Sequence, residues 1–197
     1  MFAIARTPLL ALTLSLAVTA CGHVPLASLL KLSGVDFATT DISAIRAGIA
    51  LPETLEPLAD TVKLTVLAET DDGVTIRRSF MLEEAPAGED TSGLDADENI
   101  RVYRLKEREA EDLAVVRADV LARKEKAGGG KLEISVGATA CRTGALPDSP
   151  LPMSTYLKTS ETGSFVPLTR DVDLRSLGGN PELVAAIPPC FAGVAGS

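Results

Sequence analysis

Ser28 and Lys31 carry the S-x-x-K spacing that, on one turn of a buried helix, lets an amine take the proton of a serine nucleophile. The companion elements are incomplete: Lys158, Thr159 and Ser160 match K-T-G only in part, and no Ser-Asp-Asn is present. Asp95, Asp97 and Asn99 have the one, three, five spacing that opens a helix-flanked calcium loop. The sixth position, however, is Ile100 in place of the turn-making glycine, and the twelfth is Lys106 in place of a bidentate glutamate. What is left is a weak surface calcium site at Asp90, Asp95 and Asp97, read against an ordinary solvated acidic loop. Asp171 and Asp173 share one strand face, whereas Glu83 and Glu84 do not. Carboxylate pairs that hydrolyse glycosides work in a cleft beside aromatic platforms, and the chain has 2 Tyr, 5 Phe and no Trp. With His23 as the one histidine, the nitrogen and sulfur ligands of a zinc site are missing. Gly128, Gly129 and Gly130 end a helix instead of opening one, so they cannot aim backbone amides at a phosphate. The sequence therefore assigns no catalytic residue, no metal and no cofactor.

The remaining reactive group is Cys21. Ahead of it, Met1 to Arg6 has Arg6 as its one side-chain charge, and Leu9 to Ala20 is apolar but too short to cross a bilayer as a helix. Val18, Thr19, Ala20 and Cys21 place an aliphatic residue three before the cysteine with small residues between. This segment resembles the signal of bacterial lipoproteins. The resemblance implies that the Cys21 thiol receives a diacylglyceryl group, that residues 1–20 are cleaved off, and that the new amino terminus is acylated as well. Gly22, where an Asp would favour inner-membrane retention, implies the periplasmic face of the outer membrane. Each buried methylene contributes about 0.8 kcal/mol, so two or three chains hold a folded body on a membrane where one barely does. The resemblance covers about the first tenth of the chain. It also puts His23 in a membrane-proximal tether, where no packed Ser/His/Asp or Cys/His relay can form.

The formal charge is −8, and loss of residues 1–20 removes only Arg6 and leaves −9. An acidic body repels nucleic acid and anionic headgroups, and no basic patch with interleaved aromatics offsets this, so nucleic acid is excluded as a partner. The 177 residues after the signal suit one domain with a sizeable core. With Cys21 lipidated, Cys141 and Cys190 are left, and in an oxidising compartment the two are expected to pair. A loop of about fifty residues closed this way gains roughly 4 kcal/mol in the chain-entropy model. The other readings, a reactive thiol or a metal ligand, lack a neighbouring histidine or lysine cluster.

These residues must be positioned by elements readable from periodicity. Residues 21–33 read as the lipidated front and a short apolar tether, and 34–197 as a single globular domain. Alternation predicts strands at Ile45–Leu51, Val62–Glu69, Val74–Leu82, Ile100–Tyr103 and Leu132–Ala140, with Asp71, Asp72 and Gly73 turning the second into the third. Leu157 and Thr159, the turn Glu161 to Gly163, and Phe165 to Leu168 predict a last hairpin whose Pro167 belongs on a sheet edge. Residues 85–98 read as a solvated loop, and Arg78, on apolar parity, as a residue either at a sheet margin or buried with a partner. Cys141 falls on the polar parity of its strand, which predicts that the segment carrying Cys190 crosses the outer face or edge of the sheet. One long helix, about 107–127, is marked by the stripe Ala110, Leu113, Val116, Val120 and Leu121. Pro181 to Ile187 reads as a short helix. The expected class is α+β, with about seven short, mainly antiparallel strands in a sheet or sandwich and the helix packed on it.

From these features the chain reads as a membrane-anchored envelope lipoprotein, exported and non-enzymatic, whose body binds an envelope protein or its own copies. The runner-up is a small-molecule or lipid carrier with an apolar cavity between sheet and helix, and a third class is a hydrolase using carboxylates or Ser28 and Lys31.

Overall fold

A computed structural model describes residues 35–95, 99–179 and 182–190. The signal, Cys21, His23, Ser28, Lys31 and Asp97 lie outside the described residues. The strands are β1 (Arg46–Ala50), β2 (Leu55–Pro57), β3 (Lys63–Thr70), β4 (Thr75–Glu84), β5 (Ile100–Leu105), β6 (Gly130–Gly137), β7 (Ala140–Arg142), β8 (Pro152–Lys158) and β9 (Val166–Asp173). Seven form one antiparallel sheet in the order β6-β3-β4-β5-β1-β8-β9, and β2 with β7 forms a separate two-stranded ribbon. The helices are α1 (Glu107–Ala127) and the short α2 (Glu182–Ala185). The class is α+β, as the alternation and the single long amphipathic stripe predict.

Alternation explains the core. Leu64, Val66 and Ala68 of β3 face one way with Phe80 and Leu82 of β4 and Ala47 and Ile49 of β1, and all are buried. Leu113 and Val120 of α1 are 0% exposed, and Leu113 joins that cluster. Each such side chain contributes about 1.5–3 kcal/mol by leaving water. Glu107 and Glu109 in the first turn of α1 and Lys124 and Lys126 in the last complement its dipole. Gly128, at φ 85°, takes the left-handed conformation that stops the helix. The sheet curls until Ile134 of β6 and Leu157 of β8 line the same interior space as Leu64, Val66 and Leu113, so it is nearly closed. Phe37, Val120 and Leu121 sit in the remaining seam with Leu132 and Leu168.

Several expectations need correction. The seven expected strands are those of the main sheet, and two more are added among the described residues: β2 and β7 are three residues each, too short to show a period. The predicted strand Leu132–Ala140 stops at Gly137, and β7 then pairs with β2 instead of β3. That break resets the parity: Cys141 is buried at 3% exposure, and the segment bearing Cys190 runs parallel to β7 through the Arg142 to Pro189 bridge. Arg78 is solvent-exposed, with its Nη1 donating to the Arg77 carbonyl at 2.9 Å. Pro167 stands on β9, the last strand of the sheet, as a proline requires.

The stretch following Glu84 is more than a solvated loop. Leu94 packs with Ile100, Val102, Ala50, Tyr156 and Phe165 into a second, smaller core on the outer face. Gly93 has φ 89°, and a Cβ there would lie 2.3 Å from the Phe165 carbonyl oxygen, so only glycine lets the loop come this close. The Phe165 amide donates to the Ser92 carbonyl at 2.8 Å and fixes the approach.

Candidate functional site

A broad concavity lies where the β4–β5 ladder ends. Only Leu82 to Glu84 of β4 pair with β5, after which the chain turns into α1 and leaves a cleft of about 950 Å³ against the 3-10 turn Ile42–Ala44. Ala110 and Ala114 are small enough to form its trough, and Glu107, Glu111 and Arg117 stand along the helix side. Arg117 Nη1 donates to the Thr40 carbonyl at 2.7 Å and ties the helix to the turn. Asp41 caps that turn, accepting from the Ser43 hydroxyl at 2.7 Å and the Ser43 amide at 2.9 Å. Those hydrogen bonds hold its carboxyl below the ordinary aspartate value.

The floor of the cleft belongs to a charged row across four strands. Glu83 of β4 stands opposite Arg104 of β5, Arg104 opposite Arg46 of β1, and Arg46 opposite Lys158 of β8. Three adjacent cations on one face repel one another. Arg104 is neutralised by Glu83, with Nη2 to Oε1 at 2.8 Å. The other two are neutralised by the loop after β4: Arg46 Nε donates to Glu89 Oε1 at 2.9 Å, and Lys158 Nζ to Asp90 Oδ2 at 2.6 Å. Arg46 and Lys158 are only 19% and 16% exposed at their side chains, so these two contacts are the more shielded ones. Lys158 Nζ also lies 5.8 Å from the centre of the Phe165 ring. The acidic residues of the loop thus serve a structural purpose: they pin it over a cationic row.

Asp90 accepts from Lys158 and from the Ser92 amide and hydroxyl, and these bonds pull its carboxyl from 3.8 down to about 2. Because the folded value lies below the unfolded one, this contribution is present above about pH 4 and disappears as the pH falls toward 2. Melting temperatures measured between pH 5 and pH 2.5 should therefore fall less steeply for Asp90→Asn than for the native chain; identical slopes would show that the Lys158 contact adds nothing.

Of the carboxylates singled out in the sequence, Asp97 lies outside the described residues, and the described ones take up separate contacts. Asp90 is engaged as described, Asp95 meets Arg170 at 3.6 Å, and no group of three metal-ligating side chains occurs among the described residues. Asp173 accepts from the Leu151 and Arg175 amides and serves as a turn anchor. Asp171 lies instead beside Ser154 and Asn99 in a smaller recess. Cys141 and Cys190 form a disulfide with Cα atoms 4.8 Å apart. Arg46, Glu83, Arg104 and Arg117 were not marked by any motif, since what unites them is strand register and the fall of one helix turn.

Chemically, the cleft offers paired guanidinium groups, solvated carboxylates and the hydroxyls of Thr39, Thr40 and Ser43. That is a surface for recognising charged and hydrogen-bonding groups. Between sheet and helix, an enclosed apolar space lined by Phe37, Leu64, Leu113 and Leu157 amounts to about 20 Å³, room for about one water, and a more open apolar recess beside it, lined by Val120, Leu121, Leu132 and Leu168, amounts to about 420 Å³. Val74, in the turn before β4, and Val115, near the middle of α1, are the large hydrophobic side chains exposed among the described residues. No helix among the described residues is long and apolar enough to cross a membrane. Set against protein families, curated proteins and solved structures, the chain matches none.

Proposed function

We propose that this chain is a lipid-anchored envelope lipoprotein whose folded body is a non-catalytic binding domain, held on the periplasmic face of the outer membrane through acyl chains on Cys21. Its partner is another envelope protein or a second copy, engaged at the charged cleft between the Ile42–Ala44 turn and α1. The observation that carries this reading is the charged, open surface cleft of about 950 Å³ between the Ile42–Ala44 turn and α1. The enclosed space beneath α1 is only about 20 Å³, but the seam at Phe37, Val120 and Leu168 opens into an apolar recess of about 420 Å³, which favours a lipid or small-molecule carrier as the second reading. The Cys141–Cys190 bridge supports an oxidising location, in keeping with the export signal.

The test is site-specific photocrosslinking in intact cells with the probe at Ala114, in the cleft, and at Ala122, exposed farther along α1. A discrete adduct from position 114 and none from 122 is the expected result. Equal adducts from both positions, or lipid as the sole product at 114, would overturn the assignment.

A further inference from the structure

On the other face of β5, Arg101 and Tyr103 line a second cleft, closed on one side by the Cys141–Cys190 bridge and on another by the turn Pro57 to Asp60. Its volume is about 530 Å³, within the range of small-molecule sites. Tyr103 is 6% exposed, with its ring in the main core. Its phenolic oxygen has no hydrogen-bond partner among the described residues, and unlike Thr54 Oγ1 it is not sealed from solvent; it opens into the cleft. An orphaned polar group at the base of a walled recess is a place for a ligand atom.

Charge selects the ligand. Glu56, Asp60, Glu83 and Glu84 line the recess against Arg101 and Lys106. Arg101 spans Glu56 at 3.0 Å and Glu84 at 3.5 Å, Lys106 meets Asp60 at 3.1 Å, and Glu83 is taken up by Arg104, so one negative charge remains in excess at the recess. Burial, together with Glu84 and Glu56, pushes the Tyr103 phenol up to about 12, so it stays neutral and keeps an oxygen lone pair to accept with. Leu58, Val62 and Leu82 provide an apolar wall beside it.

We propose that this cleft binds a primary ammonium carried on an alkyl stem: the ammonium donates to Tyr103 Oη and sits in the field of Glu56 and Glu84, while the methylenes lie against Val62 and Leu82. This site opens on the other face of β5 from the cleft on α1, with Glu83 at the border of both, and the residues substituted below, Tyr103 and Glu84, line this cleft and not that one. The probe is 1,5-diaminopentane, titrated calorimetrically into the full-length lipidated protein in nonionic micelles, with pentan-1-ol as the uncharged counterpart. Saturable binding of the diamine that weakens with added salt is expected. Since the chain has 2 Tyr and no Trp, binding should also change the tyrosine fluorescence, and that change should vanish in Tyr103→Phe. Tyr103→Phe should weaken the diamine about tenfold, the value of one hydrogen bond to a charged group. Glu84→Gln, at a carboxylate that is 61% exposed and so not needed for folding, should weaken it as well. The proposal is overturned by absence of saturation at millimolar diamine, by equal binding of pentan-1-ol, or by an affinity indifferent to both substitutions.

Discussion

Removing the bridge with the pair Cys141→Ser and Cys190→Ser is expected to cost the folded state about 4 kcal/mol. The two cysteines are 49 residues apart, and opening so long a loop returns its closure entropy to the unfolded chain. Native contacts add to the loss. The Arg142 amide donates to the Pro188 carbonyl at 2.8 Å and the Cys190 amide to the Arg142 carbonyl at 3.0 Å, which lays the last described segment beside β7. Val184 of α2, buried in the main core, is brought there by the same segment. At a urea slope of ~2 kcal/mol per molar the unfolding midpoint should drop by about 2 M. A domain of ordinary stability, about 5–15 kcal/mol, loses a large part of its margin this way. Reductant added to the native protein should reproduce the shift. Coincident midpoints for native, reduced and double-serine proteins would mean the bridge contributes nothing.

Whether an element was legible depended on how many periods it contains. The helix Glu107–Ala127 is long enough for its apolar stripe to repeat five times and is stopped by a glycine run, so its bounds could be read directly. β3 and β6 have eight residues each; β6 alternates over most of its length, and β3 keeps Leu64, Val66 and Ala68 on one face despite a buried Thr65 and an apolar Leu67 on the other. β2 and β7 offer one and a half periods apiece, and Pro52 and Pro57 make the first look like a loop. The wrong face assigned to Cys141 has one cause: alternation was carried through Ala138 and Thr139, where the chain leaves one ladder and joins another. A change of pairing partner across two unpaired residues is invisible in a one-dimensional pattern.

Long-range charge pairing was equally hidden. Residues 85–95 have the composition of a solvated loop, and composition alone cannot say that Glu89 and Asp90 face Arg46, 43 residues away, and Lys158, 68 away. The one internal hint was Leu94, an apolar residue among acids, which turned out to be the plug over Tyr156 and Phe165. The orphaned phenol of Tyr103 had no sequence signature either. Its position on β5 was legible as an inward residue, but the recess at its hydroxyl exists because β2 and β7 stand off from the main sheet.

Substituting Cys21 by serine should abolish incorporation of alkyne-palmitate, an all-or-none effect, whereas the native chain should carry the label on a fragment beginning at residue 21. The structural features of the body explain why so much rests on one sulfur. The chain after residue 20 carries a formal charge of −9, which opposes anionic headgroups. Its exposed large hydrophobics among the described residues are the separated Val74 and Val115, and α1 turns its apolar stripe into the sheet. Neither feature gives the surface an affinity for lipid. A companion chain in which residues 1–21 are replaced by an ordinary cleavable secretory leader should therefore move from the detergent phase to the aqueous phase on Triton X-114 partition while keeping its fold and its Cys141–Cys190 bridge. With two or three acyl chains at about 0.8 kcal/mol per methylene, the native protein should stay in the detergent phase entirely. A native chain without label, or a leader-replaced chain that still follows the detergent, would show that something other than Cys21 holds the protein to the membrane.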